Sequence, residues 1–203
     1  KGGIYLEELA AVRAIAFDKT GTLTRGKPVL TDIVPLGDVT HAQLIQIAGS
    51  LASNSNHPLS RAVHDHVNEE KTQLMPVSNF QSITGSGIQA TIGSEEFKMG
   101  SPNFFANHDQ YIATLPQFKK LSENGKTVTF VGTDEKLYGL LAILDTPRPE
   151  AKEMLTELSK LGIKSVMLTG DHTLVGQSIG RELGISEVAA ELKPTDKVNK
   201  IIN

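Results

Sequence analysis

The spacing of hydrophobic residues changes several times along this chain and predicts a mixture of helices and strands. Apolar residues three and four positions apart predict helices after Thr40, after Pro58, over 111–121, 150–161 and 173–183, and from 195 onward. Short apolar or alternating runs predict strands over 12–17, 80–99, 127–131, 137–144, 163–168 and 188–190. Strands and helices therefore alternate towards the chain end, whereas the middle contains strands connected by turns.

Two local signals support the predicted helix ends. Thr40-His41-Ala42-Gln43 matches a capping box, in which the threonine and the glutamine satisfy each other's backbone N–H groups. Gly162 follows the apolar positions of 150–161, and glycine readily takes the left-handed conformation that closes a helix. We therefore expect one helix to begin at Thr40 and another to end at Gly162.

The order of the predicted elements indicates two domains. Strands that alternate with helices predict a parallel α/β sheet, because parallel neighbours are joined by a crossover. This pattern occurs near both chain ends, whereas the middle predicts an α+β domain with an antiparallel sheet. We expect one domain from residues 1–27 and 145–203, interrupted by a second domain over residues 28–144.

The composition is that of a globular protein and excludes several classes of function. The 203 residues are 39% hydrophobic, 5% aromatic and carry a formal net charge of −3, so nucleic acid is not expected as a partner. The chain contains no cysteine and therefore no disulfide or thiolate metal site. No apolar run approaches the roughly 18 residues that cross a bilayer. We expect a soluble piece of a longer protein, since the sequence stops within a helical pattern.

Acidic residues follow two of the predicted parallel strands. Asp18 follows the strand over 12–17, and Thr169-Gly170-Asp171 follows the strand over 163–168. The carboxyl ends of neighbouring parallel strands meet at one edge of a sheet, where ligands bind. Asp18 can present its carboxylate to this edge and is the candidate nucleophile.

A carboxylate that attacks a phosphate group must overcome charge repulsion. Two like charges about 4 Å apart near a protein surface repel each other by about 4 kcal/mol. A magnesium ion, a lysine and backbone N–H groups reduce such repulsion. Lys197, Thr169 and the amide of Gly170 are the candidates for this role.

Several of these segments are motifs in a fixed order. The chain contains DKTGTLT at 18–24, MLTGD at 167–171 and LKPTDK at 192–197, which resemble the motifs of P-type ATPases in the haloacid-dehalogenase superfamily. SNHPLSRA at 55–62 and GSG at 85–87 resemble the nucleotide-domain signature of the heavy-metal-transporting branch. The resemblance implies a haloacid-dehalogenase-like phosphorylation domain into which a nucleotide-binding domain is inserted.

For the phosphorylation domain, the resemblance implies that Asp18 accepts the γ-phosphate of ATP and forms an aspartyl-phosphate. It also implies a Mg²⁺ site formed by Asp18 and the backbone carbonyl of Thr20, with a third ligand beyond residue 203. The resemblance also implies that Thr22, Thr169 and Lys197 contact the phosphate. Gly170 and Asp171 correspond to the adjoining turn that faces the nucleotide.

Thr20 stands where related soluble phosphatases carry a second aspartate that acts as general acid and base. Loss of a positioned acid–base group typically slows a reaction by about 10²–10⁴-fold. A phosphoryl group on Asp18 is therefore expected to persist, as a pump requires when it couples chemistry to conformational change.

For the inserted domain, the resemblance implies an adenine pocket formed by Asn56, His57, Gly85, Gly87 and Gly100. Glycine lets a backbone approach a ligand closely. The chain departs from the family pattern at Asn56, where glutamate is common, and at Ser101, where asparagine often follows the glycine.

The resemblance predicts the ATP-binding portion of a heavy-metal pump, located at the cytoplasmic face of a membrane. A membrane-embedded transport domain of the same polypeptide would bind the transported cation. KGGIYLEEL at 1–9 favours the zinc, cadmium and cobalt pumps over the copper pumps.

Other functions stay open at this point. Copper pumps, soluble phosphatases of the superfamily and nucleotide-binding modules without turnover are the alternatives. The family's later Gly-Asp-Gly-x-x-Asn-Asp motif does not occur in the 203 residues, and its aspartate normally completes the magnesium site. Weak phosphorylation of this fragment is therefore expected.

Overall fold

The structure is a computed structural model that describes residues 10–202, with side chains for all of them except 194, 199, 201 and 202. The segment KGGIYLEEL and Asn203 lie outside the described residues. Within residues 10–202, no helix combines the length and apolar character that crossing a membrane requires.

The described chain forms two compact units, one from residues 10–26 and 146–202 and the other from residues 27–145. An irregular helical turn covers Lys19–Leu23, and a 3₁₀ helix covers Pro102–His108. The strands are β1 Ala14–Asp18, β2 Val29–Pro35, β3 Val77–Ile83, β4 Gly87–Ile92, β5 Glu95–Gly100, β6 Thr127–Gly132, β7 Leu137–Leu144, β8 Lys164–Leu168 and β9 Glu187–Ala189. The helices are α1 His41–Ala52, α2 Pro58–Glu69, α3 Asp109–Thr114, α4 Pro116–Glu123, α5 Pro149–Lys160, α6 Thr173–Leu183 and α7 Pro194–Ile202.

The first unit contains a 3-stranded parallel sheet in the order β1-β8-β9. Asp18 at the end of β1 is level with Leu168 of β8, which is level with Ala189 of β9. The carboxyl ends of the three strands therefore meet at one edge of the sheet. Its core consists of Leu23, Ala151, Leu155, Met167, Ile179 and Leu183.

Two glycines let α6 lie close to β9. A Cβ atom added to Gly180 would lie 2.5 Å from Val188 Cγ2, and one added to Gly176 would lie 3.1 Å from Val188 Cγ1. Carbon atoms in favourable contact are about 3.5–4.0 Å apart. Glycine at these positions therefore permits the close packing of this helix, which begins soon after Asp171.

The second unit contains a 6-stranded antiparallel sheet in the order β2-β7-β6-β5-β4-β3. Successive strand residues point to opposite faces, and two hydrophobic cores follow from this alternation. Val131 and Leu141 belong to the core that contains α1 and α2, whereas Phe130 and Leu140 belong to the core with the 3₁₀ helix, α3 and α4. The predicted fold class, a parallel sheet and a separate antiparallel sheet, is confirmed.

Local signals explain where some helices begin and end. The capping box is confirmed, because Thr40 and Gln43 bond each other's backbone N–H groups at the start of α1. The prediction of one helix over 111–121 is wrong: Leu115 is extended and separates α3 from α4. The residue before a proline disfavours the helical conformation, and Pro116 follows Leu115. The pattern analysis also missed β2, in which Leu30 is buried and the other residues are exposed or partly buried.

Candidate active site

Asp18 lies at the carboxyl edge of the parallel sheet, where the turn that begins with Thr169 also starts. Its side chain is 47% exposed. The Nζ atom of Lys197 in α7 donates a hydrogen bond to Asp18 Oδ1. The structure therefore brings the predicted nucleophile and the predicted lysine into direct contact.

The turn after Asp18 folds around the buried Thr24 side chain. Thr24 Oγ1 donates to Lys19 O at 3.1 Å and accepts from Gly21 N at 3.2 Å. Gly21 has a φ of +78°, a conformation that favours glycine. Thr20 and Thr22 are exposed on this turn. The backbone next to Asp18 is thus held by a side chain of the same turn, while both threonines remain accessible to a ligand.

Lys19 forms a buried ion pair with Asp171. Its Nζ lies 2.6 Å from Asp171 Oδ2, and the two side chains are 6% and 13% exposed. Thr169 Oγ1 also donates to Asp171 Oδ2 at 2.7 Å and accepts from Asp171 N at 3.1 Å. Asp171 therefore binds one lysine and one hydroxyl, and the single hydroxyl hydrogen of Thr169 points to it.

The sequence analysis gave Lys19 no role. One signal was available, because neighbouring residues of an extended strand point to opposite sides and Lys19 directly follows Asp18. A lysine placed away from the exposed edge needs an acidic partner, since burying an unpaired charge is unfavourable. Asp171 was the acidic residue of the adjacent turn, so the pair could have been proposed.

Backbone hydrogen bonds join the turn after β8 to the segment after β9. A Cβ atom added to Gly170 would lie 3.2 Å from Leu192 O, so glycine eases this close approach. The pairing fixes the start of the segment that leads to α7 and to Lys197. Its bonds run from Thr169 N to Ala189 O at 2.9 Å, from Leu192 N to Thr169 O at 3.0 Å and from Glu191 N to Asp171 O at 2.9 Å.

Glu191 binds the first turn of α6, which begins soon after Asp171. Its Oε1 accepts from Thr173 N at 3.2 Å and from Thr173 Oγ1 at 2.9 Å. These hydrogen bonds lower the pKa of Glu191, and the nearby His172 lowers it further, although burial acts in the opposite direction. A negative charge is favourable at a helix N-terminus. Glu191 therefore helps to fix the helix that follows Asp171.

His57 is the N-terminal cap of α2 in the second unit. Its Nδ1 accepts from Leu59 N at 3.3 Å, and its backbone N donates to Ser55 Oγ at 3.3 Å. His57 is exposed as a residue, but partial desolvation of its ring lowers the pKa of His57. The neutral ring, with Nδ1 as an acceptor, is thus favoured, and the exposed Asn56 lies directly before it.

The three predicted pocket glycines lie close together in the same unit. Gly87 and Gly100 are paired across β4 and β5, and a Cβ atom on either would collide with neighbouring backbone and with the ring of Phe104. Gly85 lies in the turn before β4 at a φ of +76°, with nothing within 4 Å of an added Cβ. Strand packing therefore explains Gly87 and Gly100, whereas Gly85 leaves open space. The side-chain bond of His57 goes to its own helix rather than to these glycines.

Comparison with known proteins identifies the family of this chain. The sequence profile of the haloacid dehalogenase-like hydrolases matches residues 12–201. The chain therefore belongs to the haloacid dehalogenase-like hydrolase family, to which the parallel sheet and the carboxyl-edge aspartate also point.

Individual relatives indicate a narrower class of protein than the family does. The chain is 40% identical over 208 residues to a probable cadmium-transporting ATPase of Staphylococcus aureus strain MRSA252, covering 99% of this chain and 29% of that protein. It is 37% identical over 202 residues to a copper-exporting P-type ATPase of Staphylococcus haemolyticus, covering 99% of this chain and 25% of that protein. The chain thus spans less than a third of the length of either relative.

Solved structures give the same assignment. A zinc-transporting PIB-type ATPase matches 97% of this chain and 32% of its own chain, with 33% identity and a TM-score of 0.62. The catalytic domain of the CPx-ATPase CopB-B matches 100% of this chain and 69% of its own, with 26% identity and a TM-score of 0.74. The resemblance to heavy-metal P-type ATPases, predicted from the motifs, is confirmed.

Proposed function

We propose that this chain is the ATP-binding and phosphorylated portion of a P-type ATPase that pumps a heavy-metal cation. Residues 1–27 and 145–203 form the phosphorylation domain, and residues 28–144 form the nucleotide-binding domain. The observation that carries the proposal is the contact between Lys197 and Asp18 at the carboxyl edge of the parallel sheet.

In this proposal Asp18 is the nucleophile. One of its carboxylate oxygens attacks the γ-phosphorus of ATP, the bond to the bridging oxygen breaks, and ADP leaves with the bonding electrons. The ammonium group of Lys197 offsets the negative charge of the transferred phosphoryl group. Its existing contact with Asp18 supports this role, because the ammonium is already beside the oxygen that attacks.

The residues next to Asp18 suit Mg²⁺, which binds oxygen ligands and commonly takes one or two carboxylates together with phosphates and water. The half-exposed carboxylate of Asp18 and the carbonyl of Thr20 would hold the ion. Residues 10–202 contain no cluster of three or more acidic, histidine or cysteine side chains that could bind a metal alone. When bound, the ion would lower the repulsion between Asp18 and the phosphate, and the expected third protein ligand lies beyond residue 203.

Phosphate contact is assigned to Thr22, Thr169 and the amide of Gly170. The hydroxyl of Thr169 has one hydrogen and directs it to Asp171, so it must rotate before it donates to a phosphate oxygen. Asp171 itself binds Lys19 and Thr169, and in this proposal it positions these two residues. Adenine contact is assigned to Asn56, His57, Gly85, Gly87 and Gly100.

Thr20 gives the phosphorylated state its lifetime. Hydrolysis needs a base for the attacking water, and a threonine hydroxyl does not serve as one at neutral pH. Absence of a positioned base slows hydrolysis by about 10²–10⁴-fold. The phosphoryl group would thus persist long enough for a membrane-embedded domain of the same polypeptide to move the cation.

Zinc or cadmium is the proposed cargo. The cadmium-transporting relative at 40% identity and the zinc-transporting structure at 33% identity support this choice. A copper cation is the second candidate, because the copper-exporting relative reaches 37% identity.

Phosphorylation of the full-length parent protein tests the proposal. Incubation with ATP labelled at the γ-phosphate should give an acid-stable, hydroxylamine-labile phosphoenzyme that disappears in Asp18→Asn. Label that persists in Asp18→Asn would reject Asp18 as the nucleophile. Binding of ATP to the 203-residue chain without any phosphoenzyme in the parent would instead support a nucleotide-binding module. Stimulation of phosphorylation by zinc or cadmium but not by copper would decide the cargo.

A further inference from the structure

Arg148 contacts the turn after Asp18 at three carbonyl groups. Its backbone N donates to Leu23 O at 2.9 Å. Its side chain donates from Nε to Thr24 O at 3.0 Å and from Nη2 to Gly21 O at 3.1 Å. A residue more than a hundred positions away in the sequence therefore spans most of the turn that begins at Lys19.

The guanidinium group suits this contact for a geometric reason. Its N–H donors are fixed in one plane and can serve two carbonyl oxygens at the same time, whereas a lysine ammonium acts as a single point charge. Hydrogen bonds from a charged donor are also stronger than those between neutral groups. Arg148 consequently holds Gly21 and Thr24 at a set separation.

The turn has its own internal hydrogen bonds, and these offer independent reporters. Gly21 N donates to Thr24 Oγ1, and Thr24 N donates to Lys19 O at 3.1 Å. Neither bond includes an atom of Arg148. Faster exchange of these two amide hydrogens after a change at Arg148 would thus show that the turn opens more often.

We propose that Arg148 is a positioning residue that fixes the turn after Asp18 and so places the carbonyl of Thr20 and the carboxylate of Asp18 for Mg²⁺ and phosphate. The described hydrogen bonds that Arg148 donates all go to backbone carbonyls of the turn, so it acts through the turn. The importance of Thr20 rests on the proposed function, whereas the hold of Arg148 on the turn can be tested without ATP.

Amide hydrogen exchange in the 203-residue chain tests the hold on the turn. Arg148→Gln should accelerate exchange at Gly21 and Thr24 by about ten- to a hundredfold, the effect of losing hydrogen bonds from a charged donor. Arg148→Lys should accelerate exchange at the same two amides, because it keeps the positive charge but loses the planar set of N–H donors. Arg25→Gln is the matched control, since the described bond of Arg25 runs from its backbone N to Thr146 O.

Magnesium alone is the probe for the functional consequence. In a titration followed by the amide signals of the turn, Arg148→Gln should bind Mg²⁺ about tenfold or more weakly than the wild type, with Arg25→Gln unchanged. A wild-type chain that shows no Mg²⁺ response would contradict the proposed magnesium site. The exchange data would still decide the role of Arg148 in that case.

Three outcomes overturn the proposal. These are unchanged exchange at Gly21 and Thr24 in Arg148→Gln, wild-type behaviour of Arg148→Lys, and acceleration of equal size at all amides of residues 10–26 and 146–202. The last outcome would show that Arg148 supports the fold as a whole and does not act on the turn. Acceleration confined to the turn, together with weaker Mg²⁺ binding, supports it.

Discussion

The ammonium of Lys19 lies 2.6 Å from the carboxylate of Asp171, and this ion pair is almost wholly buried. It joins Lys19, which directly follows Asp18, to the last residue of the Thr169-Gly170-Asp171 turn. Two acidic side chains of the site, Asp18 and Asp171, thus each have a lysine partner. Their carboxylate charges are balanced before any ligand arrives.

Removal of one partner of the Lys19–Asp171 pair should destabilise the protein strongly. Lys19→Met or Asp171→Asn leaves a buried charge without its partner, which lowers the free energy of unfolding by about 3–5 kcal/mol. The double variant should lose less than the sum of the two, because it leaves no unpaired charge. Urea unfolding of the 203-residue chain measures all three.

An exposed ion pair provides the control. Glu157 and Lys160 are 61% and 66% exposed, so Glu157→Gln should change the free energy of unfolding by less than about 1 kcal/mol. Single variants at Lys19 and Asp171 that match this small effect would contradict the structural importance of the buried pair.

Lys197 should matter more for phosphorylation than for stability. Its side chain and that of Asp18 are 31% and 47% exposed, and pairs of this kind contribute about 0–1 kcal/mol to the free energy of unfolding. Lys197→Gln should therefore unfold at nearly the wild-type urea concentration. In the parent protein it should slow phosphoenzyme formation by about 10²-fold or more, because its charge acts on the transferred group. Rapid-quench measurements would detect this, and a wild-type rate would exclude Lys197 from the chemistry.

The pocket glycines should separate into two groups. Gly87→Ala places a Cβ against the backbone of Met99 and Gly100, and overpacking of this kind destabilises by about 1–3 kcal/mol. Gly85→Ala meets no neighbour but must hold a left-handed φ, which costs about 1–2 kcal/mol. Calorimetric titration with ATP under folded conditions should show the larger loss of affinity for Gly85→Ala if the open space beside Gly85 receives adenine. Unchanged affinity there would remove Gly85 from the pocket.

His57 caps α2 and is also proposed to contact adenine, and a pair of variants can distinguish these two roles. Asparagine caps helices well and alanine does not, so His57→Asn keeps the cap of α2 while His57→Ala removes it and lowers stability by about 1 kcal/mol. Both variants should bind ATP more weakly if the ring contacts adenine. Wild-type ATP affinity in His57→Asn would show that the histidine serves as a cap alone.

The cap at His57 should also depend on pH. Because desolvation lowers its pKa in the folded protein, the unfolded chain binds the proton more readily, and stability contributed by neutral His57 is present above the ordinary histidine pKa of about 6.5. That stability is lost as the pH falls through the lowered pKa, when Nδ1 can no longer accept from Leu59 N. Titration of the His57 ring signals and of the Leu59 amide by NMR should show the same midpoint. A midpoint above 6.5 would contradict the structure.

The sequence predicted elements of the fold correctly where a single local pattern was unambiguous. Alternating strands and helices after residue 145 predicted the parallel sheet, and the capping box predicted the start of α1. Prediction failed where a single residue overrode a periodic pattern, as Pro116 does when it separates α3 from α4. It also failed for β2, because only Leu30 of that strand is buried and the burial of Asp32–Pro35 does not alternate.

The sequence indicated which candidate residues lie together where they follow strand ends, and it gave no indication of contacts made from a distant part of the chain. Asp18, Thr169 and Asp171 follow from their positions after β1 and β8. Arg148 donates to backbone carbonyl groups. Every residue has a carbonyl group, so the amino-acid sequence does not indicate which carbonyls Arg148 contacts. Such a contact requires knowledge of the turn geometry.

The places where residues 27–145 leave and rejoin the first unit are neighbours. Arg25 N donates to Thr146 O at 3.0 Å, and Thr24 pairs with Pro147. Residues 27–145 can therefore be treated as one long loop whose two ends lie next to each other in the first unit. Closing a loop becomes only about 0.6 kcal/mol less favourable with each doubling of its length. Insertions or deletions within residues 27–145 can therefore accumulate over evolution while the parallel sheet that carries Asp18 keeps its geometry.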